Sequence, residues 1–132
     1  MRGKPLHNLM AKRVETAASE FFEFVGLEYY YCRNGVTKFL DVFAQQGSIE
    51  LAFEVETTSR HAVDNAIKVA TIDIPLWIIV PTFPLRLELT RMLTDVALRP
   101  GNKPVKILLL GQLRKELANY VSLFIPANRL KE

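Results

Sequence analysis

Asp41 lies in the stretch FLDVFA, and thirteen residues further on Glu54 lies in IELAFEVETT, with Glu56 two positions beyond it. Side chains alternate along a strand, so Ile49, Leu51, Phe53 and Val55 point one way while Glu50, Ala52, Glu54 and Glu56 point the other. The acids share a face. Around Asp41, the neighbours Phe39, Leu40, Val42 and Phe43 argue for burial, where an ionised carboxylate is costly unless it is paired, hydrogen-bonded or bound to a metal. If the two segments are adjacent strands joined through the Gln45–Ser48 turn, Asp41 comes near Glu54. Two carboxylates at that separation repel, and the remedies are a shared proton or a hard divalent cation. Mg²⁺ (or Mn²⁺) takes oxygen ligands, commonly one or two carboxylates completed by waters and phosphate oxygens. An Asp and a Glu on neighbouring strands therefore suit metal-assisted chemistry on a phosphate.

The elements that must hold these acids are legible as periodicities. From about Asn8 to Val25, Leu9, Met10, Val14, Ala17, Ala18, Phe21, Phe22 and Val25 recur at three- and four-residue steps, the mark of an amphipathic helix, which Gly26 would stop. The stretch LEYYYCR (27–33) reads as a strand, NG at 34–35 as a hairpin turn and VTKFLDVFAQ (36–45) as the returning strand. With the acidic segment they make a three-strand meander. TSRHAVDNAIKVATI fits a helix capped by Thr58 or Ser59. PLWIIVP, apolar throughout, suits a strand buried on both faces. A helix from about Pro84 to Leu98, a strand at 105–111 and a helix from about Gln112 to Leu123 complete an α-β-β-β-α-β-α-β-α order, an α/β fold.

At 132 residues, 49% of them hydrophobic, and without a Gly/Ser- or Pro-rich linker, the chain fits a single domain spanning 1–132. No apolar run reaches the length of a membrane span, and the basic start carries no signal-peptide core, so a soluble cytoplasmic (intracellular) protein is expected. One cysteine, Cys32, excludes an internal disulfide, and no Cys/His spacing suits zinc. A net charge of +3 is only mildly basic, yet Arg2, Lys4, Lys12 and Arg13, then Arg99, Lys103 and Lys106, then Arg114 and Lys115 form patches suited to phosphate. There is no phosphate-cradling glycine loop, nucleophile elbow or dinucleotide fingerprint.

The pattern LDVF, the interval from Asp41 to Glu54, FEVETT running into a helix, and the apolar LWIIV strand together resemble the PD-(D/E)xK nuclease superfamily. Within it the archaeal Holliday-junction resolvases are nearest in pattern, over about residues 9–81. The resemblance implies a restriction-endonuclease-like core and a magnesium-dependent DNA endonuclease that hydrolyses phosphodiester bonds, with branched DNA as one substrate class. It carries the metal-ligand role onto Asp41 and Glu54, a main-chain carbonyl ligand onto Val55, and an upstream helix ligand onto Glu15, with Glu20 as second choice. Leu40 stands where the motif's name has Pro, and Glu56 where the family usually has the Lys that orients or polarises the attacking water.

Some members hold a Glu at that position, which makes Glu56 a further ligand or a general base. Others move the lysine to the following helix, where Lys68 shares a polar side with Arg60 or His61, Asp64 and Asn65 and would stabilise charge on the phosphate. Glu50, beside the turn, is expected to be solvated. Small nucleases of this type often dimerise, so a homodimer is expected, with the apolar helices beyond residue 84 as its interface. The alternative is a nuclease-like fold without cleavage that binds DNA or a protein partner, for which Glu56 in place of the motif Lys is the main support.

Overall fold

A computed structural model describes residues 3–33, 35–94 and 105–124. Helix α1 (Gly3–Ser19) leads into β1 (Phe24–Arg33), β2 (Val36–Gln46) and β3 (Ile49–Val55). Then come α2 (Ala62–Ile72), β4 (Leu76–Val80), α3 (Phe83–Met92), β5 (Val105–Leu109), a 3-10 turn (Leu110–Gln112) and α4 (Leu113–Ser122). One sheet carries the strands in the order β1-β2-β3-β4-β5. The first three strands are antiparallel, and β4 and β5 run parallel to β3.

The element order is the one the periodicities imply, with shifted ends. Helix α1 begins earlier than Asn8 and ends at Ser19, because Phe21, Phe22 and Val25 reach the core from a turn and a strand while keeping the spacing of a helix. Gly26 sits within β1, where a Cβ would come to 3.0 Å from the Tyr29 ring. Helix α2 starts at Ala62 with His61 at its N-cap, so Thr58 and Ser59 stand before it. In α3 the hydroxyl of Thr82 accepts the Leu85 amide, and a proline occupies the first turn. Asn34 of the expected turn, residues 95–98 of the expected helix, and Arg2, Arg99 and Lys103 lie outside the described residues.

The alternation in β3 separates two apolar cores. Leu51, Phe53 and Val55 join Met10, Val14 and Ala18 of α1 and Leu113 and Leu117 of α4. Ala52, on the other face, meets Ala66 and Val69 of α2 and Leu89 of α3. All five residues of β4 are buried, as a strand between two parallel neighbours and two helical layers requires.

The β1–β2 ladder breaks at one place. Leu27 pairs with Val42 and Tyr29 with Leu40, but Glu28 and Asp41 between them are unpaired, and Glu28 takes a left-handed φ of +46°. Below the break Val42 and Ala44 face the α1 core, while Leu40 beyond it joins the α2 core. The distal half of the hairpin therefore folds across the α2 side of the sheet. Tyr29 stacks on Phe43 at 4.6 Å between ring centres, Tyr31 donates its hydroxyl to Glu50 at 2.9 Å, and Arg33 reaches Glu50 at 3.1 Å. Glu50 is thus paired rather than solvated.

Candidate active site

Pairing between β2 and β3 runs from Gln46 opposite Ile49 to Val42 opposite Phe53, and there it ends. The next opposed pair would be Asp41 and Glu54. In place of a main-chain ladder, the Asp41 amide donates to Glu54 Oε2 at 2.9 Å, and the Val55 amide donates to Asp41 Oδ2 at 2.8 Å. Each carboxylate fills the position of a carbonyl on its own strand, and charge-assisted bonds hold both where the strands part.

The face carrying Glu54 is dry. Glu54 is 2% exposed, and the folded-back hairpin places Lys38 Nζ 2.8 Å from its Oε1, the lysine side chain itself being 13% exposed. Burial, then the charge of Asp41, pushes the Glu54 carboxyl up to about 7 against the pull of Lys38. Burial also raises Glu56, opposed by the hydrogen bond that Asn65 Nδ2 donates to its Oε2 at 3.0 Å. Asp41 is half-buried, and His7 Nε2 of α1 lies 3.1 Å from its Oδ2. A cavity of about 240 Å³, lined by His7, Asn8, Lys12, Glu28 and Asp41 among others, opens beside it.

The structure brings Asp41, Glu54, Val55 and Glu56 together around the end of β3. Val55 engages Asp41 through its amide. Glu15 pairs with Lys12 at 3.1 Å and makes no hydrogen bond to either acid; the α1 residue that reaches Asp41 is His7, nearer the helix start. Glu20 pairs with Arg114 at 2.7 Å. Lys68 is exposed on α2 with no ion pair among the described residues. The lysine at the acids is Lys38, which the sequence reading did not single out. In a flat ladder it is out of phase with Asp41, and only the break in β1–β2 brings its side chain to Glu54. His7 was hidden by a helix that starts earlier than its apolar pattern.

The donor chemistry fits a hard divalent cation. Asp41 Oδ1 accepts no hydrogen bond among the described residues, whereas Glu54 Oε1 meets Lys38 and Oε2 the Asp41 amide, so a cation there would have to compete with Lys38 for Glu54. No group of three or more His, Cys, Asp or Glu converges as a metal cage among the described residues.

No family model and no curated protein matches the chain. Among solved structures it is similar to the small subunit (R.BspD6I2) of the heterodimeric restriction endonuclease R.BspD6I, with a TM-score of 0.53 and 11% identity over 96% of this chain and 75% of that one. At this identity the likeness is one of fold, and the fold is restriction-endonuclease-like. No helix among the described residues is long and apolar enough to cross a membrane.

Proposed function

We propose that the chain is a DNA endonuclease of the PD-(D/E)xK type that hydrolyses phosphodiester bonds with Mg²⁺ or Mn²⁺. One observation carries the reading: Asp41 and Glu54 are interlocked at a strand divergence with an ammonium, Lys38, held against Glu54. Asp41, Glu54 and the Val55 carbonyl would hold the cation. When bound, such an ion polarises the phosphate and supplies a hydroxide-like water.

Lys38 stands where a positive charge can steer that water and offset charge building on the phosphate, the task the sequence pattern leaves vacant at Glu56. Glu56, raised by burial and held by Asn65, is suited to take a proton more readily than an ordinary carboxylate. His7 fixes Asp41 from α1. That the similar structure is a subunit of a heterodimeric enzyme supports a chain that works beside a second subunit, here a homodimer in the simplest case.

A second reading has one observation in its favour. Lys38 already neutralises Glu54, so the acids are satisfied without metal, as in a fold that binds DNA or a protein without cutting. Incubation with branched, duplex and single-stranded DNA in Mg²⁺, Mn²⁺ or EDTA separates the two. The nuclease reading expects metal-dependent products and a melting temperature raised by Mn²⁺ through binding to the native state, about 2.7 kcal/mol at a hundredfold excess over Kd. Asp41→Asn should abolish both. Intact DNA of every form together with identical melting curves in Mn²⁺ and EDTA would leave the non-cleaving reading.

A further inference from the structure

A cavity of about 500 Å³ lies between α1 and the start of α4, lined by Arg13, Thr16, Leu110, Gly111 and Arg114 among others. A smaller one of about 180 Å³ adjoins it, sharing Arg13 and Leu110 and reaching Pro81. Both open at the end of the sheet where the acids lie. Strands β3, β4 and β5 are parallel, so Val55, Val80 and Leu109 end on the same edge, and Pro81 and Leu110 follow directly from the last two. Neighbouring strands are about 4.8 Å apart, which sets the ends of β3 and β5 roughly 10 Å apart.

The two cations of the cavity differ. Arg114 is engaged by Glu20 at 2.7 Å, whereas Arg13 is exposed and has no hydrogen-bond or ion-pair partner among the described residues. Nothing lies within 4 Å of a Cβ built at Gly111, so the floor beside the arginines is open main chain. Thr16 directs its hydroxyl to the Lys12 carbonyl, so it adds no free donor. The cavity is basic and open, on the α1 side of the same strand-end edge from which Glu54 projects toward α2, and one of its cations is unpaired among the described residues.

We propose that this cavity seats a backbone phosphate of the bound DNA, with Arg13 as its principal cation, and so fixes the strand relative to Asp41 and Glu54. This rests on DNA as the ligand of the acidic site. An uncompensated guanidinium favours a phosphate oxygen over a neutral group, because the fork of N–H donors matches its oxygens while the charge is balanced. A contact to phosphate alone positions the strand and reads no sequence.

The test is equilibrium binding of a labelled duplex in Ca²⁺ across a salt series. It compares the parent, Arg13→Gln, Gly111→Glu and, as a control on the opposite face of the sheet, Arg91→Gln, with melting temperatures to establish that each is folded. Arg13→Gln should weaken binding several-fold and lower the slope of log K against log salt by about 0.9, one phosphate contact. Gly111→Glu, which introduces a carboxylate where there is room for it, should weaken binding at least as much. Parent-like affinity and slope in both variants, or an equal loss in Arg91→Gln, overturns the proposal while leaving the nuclease reading intact. A parent that binds no DNA overturns both. A parent that binds but never cleaves, with Arg13→Gln and Gly111→Glu weakened, supports the cavity and removes the nuclease reading alone.

Discussion

Asp41 and Glu54 are joined reciprocally: the Asp41 amide binds the Glu54 carboxylate at 2.9 Å, and the Asp41 carboxylate binds the amide of the residue after Glu54 at 2.8 Å. Two acids thereby replace two rungs of a sheet. The strands β2 and β3 can separate at this point without orphaned amides. The arrangement holds negative charge in a dry place, with consequences that can be measured.

The Glu54 carboxyl, at about 7 when folded against an ordinary 4.5, keeps its proton in the native state at pH values where the unfolded chain has lost it. Its contribution to stability is therefore full below about pH 4.5 and is lost as pH rises through about 7, a fall on the order of 3 kcal/mol. The raised Glu56 acts in the same direction. In EDTA the melting temperature should fall between pH 5.5 and pH 8, and Glu54→Gln should flatten that fall. A parent curve that is level, or parallel to that of Glu54→Gln, would contradict the burial of an ionisable Glu54.

Lys38 is the only cation within ion-pair distance of Glu54 among the described residues. Removing one partner of a buried pair typically costs about 3–5 kcal/mol, because the other charge is left uncompensated. At pH 8 Lys38→Met should approach that cost. Near pH 5.5 the cost should shrink, since Glu54 takes up a proton instead. Urea unfolding at both pH values, in a cycle with Glu54→Gln, gives the coupling. Costs that are equal at the two pH values, with a coupling under about 0.5 kcal/mol, would remove Lys38 from the electrostatics of the site. The same variant should cleave DNA far more slowly than the parent if Lys38 steers the attacking water.

The order of elements, the three-strand meander, the two-faced burial of LWIIV and the approach of Asp41 to Glu54 were legible because alternation and helical spacing constrain which face a residue occupies. What lay beyond reach was the break at Glu28 and Asp41. No glycine marks it, since a glutamate adopts the left-handed backbone there, and the resulting fold-over is what brings Lys38 to Glu54 and Tyr31 and Arg33 to Glu50. These are contacts between residues far apart in register, set by the path of a bent hairpin. Lys68, which has the right spacing on a helix, is exposed, while Lys38, whose spacing suggests nothing, is half-buried against Glu54.

Glu56 is the residue on which the proposed mechanism turns, and its surroundings make a definite forecast. It is 8% exposed, its carboxylate accepts from Asn65 at 3.0 Å, and its amide donates to Ile79. Glu56→Lys would restore the usual motif in sequence, but it would set a second ammonium near the one Lys38 already supplies and leave Asn65 without its acceptor. It should therefore destabilise the protein, weaken metal binding and lower the rate. Glu56→Gln keeps the size and an oxygen for Asn65, so it should fold as the parent does and yet be slow, because an amide cannot take the proton. The measurement is the metal-dependent single-turnover rate of parent, Lys and Gln proteins on one branched substrate, with thermal melts alongside. A Lys variant faster than the parent would show that position 56 wants a cation and that Lys38 does not supply it. A Gln variant at full rate would remove the proton-transfer role and leave Glu56 as a support for Asn65 and the start of α2.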